Sequence, residues 1–220
     1  MKKFSILLFL FNILLFSNGS AAQNSTNDQI YIYKKGDYNG IGKWYMGREI
    51  AYVMGYEGIG WLERSQREKE ENVSKLIQNM GIKPNDTIAD IGAGSGYHAF
   101  RMAPIANKGM VYAVDIQTEM LMAIENSKET NNIKNIKTIL GGEKSVYLAE
   151  NSVDKILMVD VYHEFSFPIE MIKSITIALK PKGELFLIEY RGEDQNVPIK
   201  RIHKMTCLLY TSPSPRDLTA

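Results

Sequence analysis

Cysteine is almost absent: Cys207 is the only one in 220 residues. No internal disulfide can form, and the paired Cys/His spacings of zinc sites are missing, so spacing predicts no metal. Charge of one sign is lacking too. Twenty-six Lys and Arg face 25 Asp and Glu, a net of +1 that becomes −1 without Lys2 and Lys3. No Lys/Arg-dense stripe occurs, so nucleic acid is not an expected partner. The apolar run Phe4 to Phe16 is broken by Ser5 and Asn12 and is short for a bilayer span. What remains, 45% hydrophobic and 23% charged, is the composition of a globular chain long enough for one α/β domain.

The two ends read differently from the middle. Lys2 and Lys3, the apolar run, and Ser17-Asn-Gly-Ser-Ala-Ala22 have the order of a secretory signal over residues 1–22. The expected location is therefore periplasmic or secreted, with an uncleaved tether as the alternative and no stable membrane span after cleavage. Residues 23–44 are expected to be a flexible leader, followed by a domain over 45–206. At the other end, Cys207 to Ala220 has neither helical nor strand period and is similar to translated sequencing adapter. Residues 207–220 are expected to be non-native, with the native chain continuing differently past Thr206.

Tyr38 to Glu63 is rich in glycine and aromatics, including Trp44, Tyr45, Tyr52, Tyr56 and Trp61. These either cover one face of the domain or form a lid over a ligand. Arg48 to Met54 is expected to be a short helix. Gln66 to Met80 is expected to be one helix, since Val73, Leu76, Ile77 and Met80 recur at i, i+3, i+4 and i+7. Gly81 and Pro84 stop it. The charged run Arg64 to Glu71 is expected to be its solvated face.

Beyond it the chain alternates. Strands are expected at Thr87–Ala89, Met110–Val114, Ile136–Leu140, Lys155–Val159 and Leu185–Ile188, with helices at Thr118–Lys128 and Pro168–Leu179. Apolar strands separated by helices predict a parallel sheet covered on both faces, that is, a doubly wound α/β fold. The polar Lys137 and Thr138 suit the third of these strands to a sheet edge.

The chemistry centres on Asp90-Ile-Gly-Ala-Gly-Ser-Gly96, a strand end, a glycine turn and a helix start. Such a unit holds a nucleotide-type ligand against backbone N–H groups. The dinucleotide fingerprint G-x-G-x-x-G would place its third glycine at 97, which is Tyr97. Glycine stands at 96 instead. Asp115 closes the second strand, where a carboxylate accepts ribose hydroxyls. Asp160-Val-Tyr-His-Glu-Phe165 follows the fourth strand, at the sheet end where ligands bind. Glu189-Tyr190-Arg191 after the fifth points at the same end.

The D-x-G-x-G-x-G run resembles the first motif of class I S-adenosylmethionine-dependent methyltransferases. Leu179-Lys-Pro-Lys-Gly183 resembles their L-K-P-G-G turn, with Lys182 in place of the first glycine. A closer resemblance is to bacterial methyltransferase-domain proteins, many with signal sequences. It rests on Tyr45-Met-Gly-Arg-Glu-Ile50, Gly60-Trp-Leu-Glu-Arg64, Met158 to Phe165, Pro198-Ile-Lys200 and His203-Lys-Met205.

The resemblance implies a Rossmann-like methyltransferase sheet of strand order 3-2-1-4-5, with the usual 7-6 hairpin missing here. The implied cofactor is S-adenosyl-L-methionine, and the methyl acceptor is unidentified. Its contacts would fall on Asp90, Gly92, Ala93, Gly94, Gly96, Asp115, Ile116, Glu143 and Asp160. His163 is the candidate general base, with Glu164 or Tyr162 to orient it or bind the acceptor. A structural loop role for His163 is the competing reading. An NAD(P)-dependent oxidoreductase is the rival enzyme class, and a catalytically silent exported binding protein is the rival without chemistry. Isoaspartyl methylation is a rival within the methyltransferases; Gly94-Ser-Gly-Tyr97 fits it, but no S/T-x-P-H loop precedes the first strand.

Overall fold

The structure, a computed structural model, describes residues 30–206. The proposed signal and the proposed tail lie outside that range. Two sheets are present: a small antiparallel one at the start and a larger parallel one after it.

The small sheet is built from β1 (Tyr31–Tyr33), β2 (Gly40–Tyr45) and β3 (Arg48–Ala51), in that order. It corrects two expectations. Residues 31–33 and 40–45 are strands rather than flexible leader, and Arg48–Ala51 is a strand rather than a helix. Tyr31, Tyr45 and Ile50 form a buried cluster against Phe167 and Ile169 of the main domain. Tyr31 donates its hydroxyl to Glu170 at 2.6 Å. Burial of these aromatic faces, not strand alternation, orders the segment.

Three short helices follow: α1 (Ile59–Leu62), α2 (Arg67–Glu71) and α3 (Val73–Asn79). The single helix expected over 66–80 is broken at Asn72, which sits at φ 51° and ψ 49°. Asparagine tolerates that left-handed conformation better than most residues. The break lets α3 keep Val73, Ile77 and Met80 in the core while α2 turns Arg67 inward.

The main sheet holds β4 (Thr87–Ile91), β5 (Met110–Asp115), β6 (Ile136–Leu140), β7 (Val153–Val159) and β8 (Leu179–Ile188). Its order is β6-β5-β4-β7-β8, all parallel. Counted along the chain from β4, that is third, second, first, fourth and fifth. The glycine-turn strand is central, and the more polar β6 is an edge. Helices α4 (Ala99–Met102), α5 (Thr118–Thr130) and α6 (Pro168–Ala178) connect the strands. Ile88, Ala89, Ile156, Leu157 and Met158 are fully buried. Each large aliphatic among them contributes about 1.5–3 kcal/mol by leaving water.

β8 begins earlier than expected, because the Lys180–Gly183 turn is an irregularity inside it. Leu179 pairs with Val153, and the next pair is Lys155 with Glu184. Among the described residues no antiparallel hairpin adjoins β8; the one pairing beyond it is a bridge between Arg191 and Met205. The chain after β8 folds back over the carboxyl ends of the strands, and that return completes the site.

Candidate active site

A cavity of about 500 Å³ opens at the carboxyl end of the main sheet. That volume suits a nucleoside-sized ligand. Four of its walls come from loops that follow β4, β5, β6 and β7, as parallel topology dictates. The fifth comes from the small-sheet side and the sixth from the returning C-terminal segment: Met54, Trp61 and Leu62 on one, Pro198, Lys200 and His203 on the other.

The glycine turn forms the floor. Gly92 and Ala93 donate their N–H groups to the Val114 carbonyl at 2.8 and 3.0 Å, which locks the turn onto β5. Gly94 takes φ +54°, and a Cβ there would stand 2.6 Å from Leu62 Cδ1. Gly96 takes φ +83° and lets Phe100 and Ile124 close in at about 3 Å from where its Cβ would be. Gly92, Ala93 and Gly94 line the cavity, whereas Gly96 serves packing. The helix start expected after the glycine turn is only the four-residue α4.

Asp115 lines the cavity and is nearly buried. Its Oδ2 accepts the Gly94 N–H at 2.8 Å and its Oδ1 accepts the Gln117 N–H at 2.9 Å. Burial raises its pKa against the pull of those donors. Ile116 and Glu143 also face the cavity. Gln117, which sequence reasoning missed, fastens the aromatic segment by accepting from Tyr56 N at 2.8 Å and donating to the Met54 carbonyl at 3.0 Å. Trp61 therefore lines the ligand space while Tyr52 and Tyr56 remain exposed. Trp61 is itself partly exposed, and Tyr45 alone of the five is buried against the main domain.

Asp90, expected from the sequence to be a cofactor contact, is buried and is not among the residues that line the cavity. Its Oδ2 is buried without a hydrogen-bond partner, and burial pushes its pKa up to about 7. His98 Nε2 and Asp160 Oδ1 are likewise buried and unpaired. Two of these three belong to cavity-lining residues, and buried orphaned polar atoms are costly unless a ligand or water satisfies them. Arg67 corrects the expectation of a solvated face. It lines the cavity, donates to Glu71 at 2.9 Å and to the Leu62 carbonyl at 2.9 Å, and lies over the Tyr97 ring. A charge at a helical spacing looks solvent-facing in sequence, and nothing local marks this one as buried.

On the opposite wall, a 3-10 turn at Tyr162–Glu164 carries His163. His163 is 2% exposed. Its Nδ1 lies 2.8 Å from Glu189 Oε2, and its Nε2 lies 3.1 Å from His203 Nδ1. Burial works against the imidazolium but Glu189 outweighs it, so the His163 pKa is raised. His203 is pushed down to about 4, first by burial and then by His163. Glu164 lines the cavity and accepts the Met54 N–H at 3.0 Å; burial pushes it up to about 7. Asp160, also cavity-lining, is raised to about 7 for the same reason.

Tyr162 does not join them. It packs edge-on against Phe165 at 5.7 Å and borders a separate small hollow with Tyr45, Arg48 and Met205. Successive residues of a 3-10 turn project about 120° apart, so neighbours in sequence face different walls. The residue that orients His163 is Glu189, which sequence reasoning aimed at the site without a role. His203 was visible only as part of a resemblance.

A family profile described as a methyltransferase domain matches residues 82–211. The chain belongs to this methyltransferase-domain family. The match spans the glycine turn, Asp115 and the His163 cluster. The chain is 30% identical over 88 residues to a probable cobalt-precorrin-6B C(15)-methyltransferase (decarboxylating) of Methanosarcina mazei, covering 40% of this chain and 48% of that protein. It is 29% identical over 135 residues to a tRNA U34 carboxymethyltransferase of Desulfotalea psychrophila, covering 61% and 39%. The chain thus spans half or less of the length of these curated relatives. Among solved structures, an S-adenosylmethionine-dependent methyltransferase from Aquifex aeolicus superposes with a TM-score of 0.66 at 24% identity, covering 70% of this chain and 82% of that one. That likeness establishes the shared fold.

Proposed function

We propose that the chain is an S-adenosylmethionine-dependent methyltransferase acting on an acceptor held against the His163 wall. One observation carries this reading. The glycine turn with Asp115, and the His163–Glu164 cluster, open onto the same cavity in a member of the methyltransferase-domain family.

Bound cofactor supplies a methyl group already activated on a sulfonium, so the protein's work is alignment and exclusion of water. Gly92, Ala93 and Gly94, whose N–H groups are held by Val114 and Asp115, would let the amino-acid end pack close to the turn. Asp90 Oδ2, buried and unpaired, offers negative charge to its ammonium, directly or through water. Asp115 keeps lone pairs free beside those given to Gly94 and Gln117, and these accept the ribose hydroxyls. Ile116 supplies an apolar face and Glu143 a polar edge for the base. Asp160 lines the same cavity and would offer a carboxylate to either ligand.

His163 is the candidate general base. Glu189 on Nδ1 fixes the ring and stabilises its protonated form, while Nε2 meets His203 Nδ1 at 3.1 Å, so a proton taken up there is shared with His203. Glu164 binds or orients the acceptor. The relatives' names point to unlike acceptors, so the acceptor stays unnamed. Among the described residues no helix is long and apolar enough to cross a membrane. Export through residues 1–22 is proposed on composition, and fractionation of cells producing the native protein tests it.

The functional test uses S-adenosylmethionine with a labelled methyl group and a periplasmic extract as acceptor source. Label should pass to extract in the presence of the chain, and at sub-saturating cofactor about 10–100-fold less with Asp115→Ala. Absence of transfer to any extract fraction, with cofactor bound, would favour the silent binder.

A further inference from the structure

Three carboxylates converge on one imidazole. His163 Nδ1 lies 2.8 Å from Glu189 Oε2 and 3.7 Å from Asp160 Oδ1, and Nε2 lies 3.7 Å from Glu164 Oε1. Among the described residues no lysine or arginine comes within ion-pairing distance of these carboxylates. The Glu189 side chain is wholly buried there, and Asp160 Oδ1 has no partner. Buried polar atoms left short of partners are costly unless a ligand or ion satisfies them.

The donor atoms are arranged for one. His163 Nε2, His203 Nδ1 and Glu164 Oε1 all lie within 4.8 Å of one another. Zinc–nitrogen bonds of about 2.0–2.1 Å set tetrahedral ligands roughly 3.3 Å apart. The His163–His203 separation of 3.1 Å and the His163–Glu164 separation of 3.7 Å bracket that value. Glu189 on Nδ1 directs the Nε2 lone pair at the same point, which is the carboxylate–histidine–metal arrangement. The Glu164 oxygen that accepts from Met54 N retains a second lone pair.

We propose that His163, His203 and Glu164 bind a divalent transition-metal ion of the zinc class, with the remaining coordination position open to the cavity. Two imidazoles and a carboxylate with an open position are the donor set of catalytic rather than structural sites. When bound, the ion would lower the pKa of an acceptor hydroxyl or thiol at the open position, whose proton would pass to water rather than to His163. Spacing in the sequence predicts no metal because the ligands come from two turns 40 residues apart. The binding itself does not depend on the methyl-transfer reading.

The test uses tag-free full chain in a Cys207→Ser background, stripped with chelator, and titrated with Zn²⁺ by calorimetry and with Co²⁺ by absorption. One equivalent of ion per chain is expected. Glu189→Gln should weaken binding about 10–100-fold, and His203→Gln should abolish stoichiometric binding. Titration of S-adenosylhomocysteine on the same samples reports folding and the cofactor half separately. The inference is overturned if wild type binds no stoichiometric ion, if His203→Gln binds it as well as wild type, or if the cobalt spectrum shows no nitrogen ligation. Each result leaves the cofactor reading untouched, so the two can fail separately.

Discussion

The Arg48 guanidinium donates to the backbone carbonyl of His163 at 3.2 Å, across 115 residues of sequence. Its other arm donates to the carbonyl of Ile202, next to His203. One side chain on β3 thus fixes both histidine-bearing turns, which is why the small sheet belongs to the active site. Burial lowers the Arg48 pKa to about 10, so it is still cationic at neutral pH.

Arg48→Ala leaves two carbonyls without their donor in a largely buried place. A loss of about 2–5 kcal/mol is expected in urea unfolding. Arg48→Lys should recover only part of it, because an ammonium lacks the two-armed reach of the guanidinium. Full recovery by lysine would show that charge alone matters.

Asp90→Asn tests the buried acid behind the glycine turn. Its pKa is about 7 in the folded chain against 3.8 ordinarily. Between those values the folded chain holds a proton that the unfolded chain releases. The group's contribution is therefore fully present below pH 3.8 and lost as pH rises through about 7. The amide removes this dependence. Without cofactor, thermal melts at pH 8 should show the variant several degrees more stable than wild type, with little difference near pH 4. Cofactor affinity should fall in the same variant. Lower stability of the variant at pH 8 would contradict a buried, proton-holding Asp90.

Much of this site was legible in the sequence. The glycine turn, Asp115 and the strand–helix alternation are local patterns, and each lies where its spacing implied. What was missed depends on tertiary approach. Arg67 sits in a run whose composition reads as solvated, yet it faces the cavity. Glu189 and His203 meet His163 only because β7 and β8 are neighbours and the chain then folds back. The strands of the small sheet escaped because glycine and aromatics mask their alternation. Tyr162 shows the converse error, since adjacency to His163 did not mean sharing its wall.

Lys182→Gly tests a local departure from the resembled turn. Lys182 is exposed at φ 69°, a conformation that costs an L-residue about 1–2 kcal/mol. Glycine adds unfolded-state entropy, so the net gain should be roughly 0.5–1 kcal/mol. Lys182→Ala should give none of it. Equal stability of all three chains by urea unfolding would show that the turn relaxes.

Asp115→Ala removes the acceptor for the Gly94 and Gln117 N–H groups along with the proposed ribose contact. Hydrogen bonds to a charged group are worth about 1.5–3 kcal/mol, so cofactor affinity should drop about 10–100-fold. Titration at fixed pH measures it, and an unchanged affinity would remove Asp115 from the cofactor site.

The central claim is that the cavity takes S-adenosylmethionine. Calorimetric titration of the full chain with S-adenosylhomocysteine tests it without needing the acceptor. Saturable binding at one site per chain is predicted, with no heat from NAD at the same concentrations. Binding of NAD in place of S-adenosylhomocysteine would contradict it.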